Sequence, residues 1–305
     1  MLTSKADARR AALLLFLSSF LFAAMALATK MVSSRLPGPQ AAMIRFGAGV
    51  LAAGIGVLAG RIVIRPQRWG WLITRGVFGG VAVLTYFMCI QRVPVGVATL
   101  LNQTHPIFTL MFAWLLLGER PTRAAVLALP LTTAGVAIIV GVRVSHLHAG
   151  TGEALGVVSA LVSGVAVTSI RAARRDSGDG RPPDSAWSVF FSFTFLGLLV
   201  TIPFVVPPFG AWVSPTLPEW GWLLAVGLCG VSAQVMMTDA LRHIGGATAG
   251  IISQFMVLLT IGGGAVFFGD HLTISFLIGG ALTLTGVVLA LSTTSPRQPP
   301  IISTD

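Results

Sequence analysis

Charge is scarce in this 305-residue chain: acids and bases make up 10% of it against 54% apolar residues, and mean hydropathy is +0.86. Soluble globular domains carry about 25% charged residues, so water is excluded as the main solvent. Cysteine is nearly absent. Cys89 and Cys229 both fall inside apolar runs without metal-type spacing, which excludes a disulfide framework or zinc site and leaves small packing residues. No G-x-x-x-x-G-K-[ST] phosphate loop occurs, so an ATP-driven mechanism would need a separate subunit. Nor is there an H-E-x-x-H run or a pair of carboxylates. That weighs against the rival from another functional class, a polytopic membrane enzyme acting on lipid head groups. His146 and His148 have no third ligand nearby, and no metal or cofactor is expected. Acids number 10 against 20 bases, a net charge of +10. The bases sit in short loops rather than on one folded face, as membrane topology requires, so no nucleic-acid partner is expected.

What the chain has in abundance is apolar runs of the length that crosses a bilayer, about 20 residues. Breakers such as Leu36-Pro37-Gly38-Pro39, Arg65-Pro66 and Arg120-Pro121 divide them. Ten spans are expected, near 11–31, 40–60, 70–91, 95–117, 123–142, 152–172, 185–206, 219–241, 246–268 and 273–293. Lys5, Arg9 and Arg10 before an apolar run and the A-x-A of Ala26 to Ala28 also fit a secretory signal. The repeat described next needs that run as its first helix. With the N-terminus inside, most Lys and Arg fall inside, among them Arg61, Arg65, Arg68, Arg171, Arg174 and Arg181. Only Lys30, Arg35, Arg92 and Arg143 fall outside, so both termini are expected to be cytoplasmic. Arg45 and Arg75 lie within spans, near enough to an end to snorkel.

Trp69-Gly70-Trp71-Leu72 recurs as Trp220-Gly221-Trp222-Leu223, an offset of 151 residues. The same register pairs Gly79 with Gly230, Gln103 with Gln254, Gly118 with Gly269 and Gly135 with Gly286. An odd number of spans per half forces the second half to enter the membrane from the opposite side. The expected fold is therefore an all-α polytopic membrane protein, with ten transmembrane helices as two inverted five-helix repeats around a central cavity. Residues 1–147 form the first unit, and 148–305 the second with a cytoplasmic tail. Such inverted repeats typify secondary transporters, whose substrate sits near the midplane.

The stretch Gly96 to Thr122, with a small residue before a polar-Pro break and a closing Gly-Glu, resembles the fourth helix of the drug/metabolite transporter superfamily. Within it, the match is to the ten-helix EamA-type branch of bacterial metabolite exporters. Lys30 before the Pro-Gly-Pro turn and Arg45 in MIRFGAG are similar to that branch's first-to-second helix pattern. In the partner stretch, Ala247 to Thr273, the pattern departs: Met256 and Val257 stand around the expected proline and Asp270 replaces Glu. The resemblance implies a multi-pass exporter of the bacterial inner membrane. Its cargo would be small metabolites such as amino acids or related amphiphilic compounds, driven by a substrate or ion gradient, with protons as a candidate coupling ion. A lipid-carrier flippase of the same superfamily remains the alternative within this fold, and a monomer is the expected state.

Polar groups are costly in hydrocarbon, so those inside spans are the default site candidates. Asn102, Gln103 and His105 stand beside Pro106, whose missing amide frees a carbonyl one turn back. Gln234, Ser253 and Gln254 join them as substrate-binding candidates. So does Tyr86, the lone tyrosine, as an aromatic wall. For Gln103, His105, Gln234, Ser253 and Gln254, hydrogen bonding between helices is the competing role. Trp187 is expected as an interfacial anchor, as are Trp69, Trp71, Trp220 and Trp222. Lys30, Arg45, Glu119, Asp239 and Asp270 are the gating or coupling candidates, with solvated helix caps as the alternative for the acids at span ends.

Overall fold

The computed structural model describes residues 5–118, 127–128, 130–132, 134–136, 138, 150–174, 181–240, 252–271 and 273–292. Among the described residues there is no strand. Helices α1 (Lys5–Val32), α2 (Gly38–Leu58) and α3 (Trp69–Arg92) come first, followed by α4 (Val95–Asn102) and α5 (His105–Leu117). Then come α6 (Gly150–Arg174), α7 (Ala186–Thr201), α8 (Leu217–Ala240), α9 (Phe255–Phe268) and α10 (Ile274–Ser292). Seven stretches among the described residues are long and apolar enough to cross a membrane, counting α4 and α5 as one. Two shorter apolar helices follow them. The expected fifth span falls mostly outside the described residues, as does the start of the ninth.

Local chemistry sets the ends. Pro37 caps α2 with proline again in its first turn, where a missing N–H costs nothing. Gly118 and Gly269 close α5 and α9 with φ of 68° and 64°, the left-handed conformation that glycine adopts without penalty. The Ser185 hydroxyl accepts the Ser188 amide at 3.0 Å and starts α7. Between α4 and α5 the chain turns at Gln103 and Thr104. Pro106 cannot donate to the fourth span's ladder, and at the turn Leu101 O accepts both the Thr104 amide at 3.2 Å and the Thr104 hydroxyl at 2.7 Å. The chain turns likewise at Gln254, immediately before α9, although Val257 stands where the repeat register would put a proline.

The helices alternate across the two halves of the chain. α1 packs on α8 and α9, α2 on α7 and α8, α3 on α6 and α7, α4 on α6 and α9, and α5 on α6 and α10. Small residues allow these crossings: a Cβ on Gly80 of α3 would lie 2.8 Å from the Cα of Gly197 on α7. Phe46, Phe87, Leu36 and Leu101 are fully enclosed in the core. Leu13, Leu51, Ile55, Leu224, Leu228, Val266 and Phe267 face outward, an apolar perimeter suited to lipid. Trp69, Trp220 and Trp222 are exposed near helix starts, whereas Trp71 packs against Leu72, Ala173 and Val189.

Two faces of the bundle can be told apart by their loops. Buried Asp184 accepts the amides of Gln67 and Arg68 at 2.7 and 3.1 Å. The α2–α3 and α6–α7 connections, with their arginines, therefore share one face. The turn after α1 and the segment before α8 meet at the opposite face.

Candidate functional site

At the face carrying the start of α1 and the end of α8, the helices part around a cleft of about 200 Å³ lined by Arg10, Leu14, Trp187, Phe190, Val235 and Asp239. A deeper and narrower cleft of about 40 Å³ continues from it past Ala186, Phe190 and Thr238, which line both. Arg75, Arg174, Phe193 and Gln234 line the inner one. The outer cleft is below the roughly 300–1,000 Å³ usual for an organic ligand and the inner one holds only a few water-sized groups, so this conformation leaves room for part of a small solute. Trp187, expected at an interface, therefore forms part of a cleft wall, ring-edge against Phe190 at 5.7 Å.

The opposite face is closed by specific bonds. Lys30, in the last turn of α1, donates from Nζ to Ile90 O and Val93 O, both at 2.9 Å, satisfying carbonyls at the end of α3. Gln40 is fully buried, and its amide bonds the Val213 backbone in both directions: Nε2 donates to Val213 O at 2.7 Å, and Val213 N donates to Oε1 at 3.1 Å. Arg35 forms a two-pronged ion pair with Glu219 and donates to Ser214 O at 2.8 Å. The Glu219 carboxylate raises the Arg35 guanidinium pKa above its ordinary value. So α1, α2, α3 and α8 are tied together at one end, and at the other a cleft opens between α1, α7 and α8.

Between the two ends lie two arginines. Arg45 is on α2, counted inward from the closed face; Arg75 is on α3, counted inward from the open one. Both are more than nine-tenths buried, so neither snorkels to solvent as its distance from the span end suggested. The Arg75 guanidinium carbon lies 4.0 Å from the centroid of Phe193, and that of Arg45 lies 5.5 Å from the same ring and 5.4 Å from Phe46. Ring faces hold cations with about 0.5–2 kcal/mol each. Arg45 Nε also reaches Met25 Sδ at 3.2 Å. Among the described residues Arg75 Nε has no hydrogen-bond partner, and neither arginine has an ion pair.

The other expected site residues divide. Gln234 lines the inner cleft, and Asp239 lines the outer one. Tyr86 lines neither; its hydroxyl bonds Thr99 Oγ1 at 2.9 Å within the core. Asn102 Nδ2 donates to Ser159 Oγ at 2.7 Å, which in turn donates to Ala82 O at 2.8 Å, joining α4, α6 and α3. Gln103 Nε2 donates to Ser253 O at 3.1 Å, so the two chain breaks touch. His105 begins α5 with Nδ1 buried and unpartnered among the described residues. Gln254 is buried at the second break. Asp270 follows Gly269 with Oδ2 buried. Glu119 lies outside the described residues.

Sequence reasoning passed over Gln40 and treated Arg75 as a snorkelling residue. The available signal was an amide one turn inside a span start and a second arginine in an apolar run. No metal-binding cluster occurs among the described residues.

A helical bundle split by a one-sided cleft is what a carrier requires, and comparison decides the family: the pattern for EamA-like transporters matches residues 9–141 and 150–292. The chain belongs to the EamA-like transporter family. This EamA-like protein is 29% identical over 279 residues to the pseudopaline exporter CntI of Pseudomonas aeruginosa, covering 91% of this chain and 92% of that one. It is 27% identical to an uncharacterized transporter of Archaeoglobus fulgidus, over 75% of this chain and 78% of that protein. With human solute carrier family 35 member G1 it shares 27% identity over 70% of its own length and 59% of the other's. A solved crystal structure superposes with a TM-score of 0.63 over 92% of this chain and 96% of that one; at 22% identity this is a likeness of fold. The EamA-like chain is thus a multi-pass membrane transporter of a small-molecule substrate, not an enzyme.

Proposed function

We propose that the protein is a secondary active or facilitative exporter that carries small metabolites, amino acids or related amphiphilic compounds, by alternating access between two inverted five-helix repeats. The units are residues 1–147 and 148–305, in a bacterial cytoplasmic membrane with both termini inside. The observation that carries this is the asymmetry of the bundle. A cleft of about 200 Å³ opens at one face, while Lys30, Gln40 and the Arg35–Glu219 pair close the other. A carrier needs a path reachable from one side at a time.

Reciprocal packing supports the inverted halves. α1 on α8 has its counterpart in α6 on α3, and α2 on α8 in α7 on α3. A Cβ on Gly135 would meet Thr283 Oγ1 and Gly279 O, and one on Gly286 would meet Thr132 Oγ1 and Ala128 O, the same contacts exchanged across an offset of 151. Export as the direction follows the name of the Pseudomonas relative. Gln234 contacts solute in the open cleft. Gln103, His105, Ser253 and Gln254, at the touching breaks, form the deeper part of the path, while Tyr86 and Asn102 hold its walls. Asp239, at the cleft mouth, is the coupling acid if protons drive transport; Lys30, Arg45, Glu119 and Asp270 serve gating.

The test is efflux from proteoliposomes of the purified protein, with amino acids, amines and carboxylic acids inside. Export of at least one class above empty vesicles is expected. No movement of any would remove the carrier assignment for these solutes.

A further inference from the structure

Among the described residues, two cations are buried within this bundle without an opposite charge to answer them. Placing an ion in a low-dielectric interior is costly unless an opposite charge or several acceptors compensate it. Arg75 has a ring face on one side and an unpartnered buried Nε, and it lines the inner cleft. Arg45 lies against the other reach of the same Phe193 ring, its Nε on a thioether sulfur, a weak acceptor. The rest of the inner cleft adds donors rather than acids: Arg174 and the Gln234 amide, the Thr238 hydroxyl being spent on Gln234 O at 2.7 Å. Among the described residues no carboxylate lines it; the acid of the adjoining cleft, Asp239, belongs to the outer one. A planar guanidinium held in place by an aromatic face, with a free N–H, is prepared for an oxyanion.

We propose that the inner cleft is an oxyanion site and that the transported solute is acidic, with a carboxylate or phosphate bound by Arg75 and net negative charge overall. The Gln234 amide adds a neutral hydrogen bond. Arg45, beyond Phe193 and toward the closed face, is the second cation, meeting the anion when that ring moves aside. The inference narrows the cargo of the transport reading. It rests on that reading for passage of the solute but not for binding.

Binding is tested on the full-length protein in detergent by thermal unfolding. The probes are succinate for carboxylates, glycerol 3-phosphate for phosphates, leucine as a zwitterion and putrescine as a cation, each against sodium chloride of equal ionic strength. At least one anion should raise the melting temperature of the wild type, with no shift from leucine or putrescine. Which anion does so separates carboxylate from phosphate. Arg75→Gln should weaken that anion's binding roughly 30-fold or more, Arg75→Lys less, and Arg45→Gln least. Without anion, Arg75→Gln should melt no lower than wild type, because it removes an uncompensated buried charge; a purely structural arginine would give the reverse. No anion-specific shift in the wild type, or a shift that survives in Arg75→Gln, overturns the proposal. Anion binding without movement in vesicles would sink the carrier reading and leave this one standing. Vesicle transport indifferent to solute charge and to Arg75→Gln would do the opposite.

Discussion

At the face where α1 ends, closure depends on a few bonds from side chains to backbone: Lys30 to the end of α3, Gln40 to Val213, and Arg35 to Ser214 and Glu219. At the face where α1 begins, the helix ends part around Arg10, Trp187 and Asp239, and what is bonded there is loop to loop, through Asp184. Both faces join the two chain halves, but differently: the closed face does so through buried and charged side-chain bonds, while the open face does so through Asp184 and through apolar packing of Ala11 and Leu15 on Ala240 and of Leu72 on Ala173 and Val189, around the cleft. Closure by a handful of hydrogen bonds is reversible at modest cost, because each contributes about 0.5–1.5 kcal/mol net, or about 1.5–3 when a charge takes part. A rocking carrier needs that property at whichever end is shut.

Filling the open cleft should have the largest effect. Thr238→Trp, at the junction of the two cavities, is expected to reduce efflux to the level of empty vesicles without lowering the melting temperature. Retained efflux would place the path elsewhere. Next comes the closed face: Gln40→Ala leaves a backbone N–H and a C=O of Val213 without their partners, which should shift the balance toward opening by about 2–3 kcal/mol. Labelling of cysteines beneath it by an impermeant thiol reagent should speed up accordingly, about tenfold per 1.4 kcal/mol. Lys30→Met should act in the same direction with about 1.5–3 kcal/mol, and a Lys30→Arg control should recover part of it. Arg35→Ala or Glu219→Gln should give the smallest change, and raising the salt concentration should abolish it, because the pair is exposed to screening ions. Asp184→Ala sharpens the contrast from the other side. It should destabilise the fold by about 1–3 kcal/mol while leaving thiol accessibility at the closed face unchanged.

Helix positions and the chain break at Gln103 were legible in the sequence because both depend on local chemistry, apolar run length and Pro106. The turn at Gln254 was not legible: the apolar run over 246–268 reads as a single span, and Val257 stands where the register would put a proline. Side-chain direction was not legible. Arg75 and Arg45 sit near enough to span ends to reach water, and the ring of Phe193, more than a hundred residues further along, holds Arg75 inward and, with Phe46 and Met25, Arg45. Tyr86 looked like a cavity wall because it is polar, aromatic and deep, yet its hydroxyl is taken by Thr99 on the next helix. Gln40 stands one turn inside α2 and gained its role from a loop that begins only after α7. In each case the deciding partner comes from another element, and spacing along the chain carries no information about it.

The most direct test measures both faces in the same molecules. Spin labels at the exposed positions Ser34 and Trp212 report on the closed end, and labels at Arg9 and Pro183 report on the open end. When Gln40→Ala and Arg35→Ala are combined, the first distance should lengthen and the second shorten in the same fraction of molecules, as rocking of one unit against the other demands. A lengthened first distance with the second unchanged, or no change in either, would contradict alternating access across this cleft.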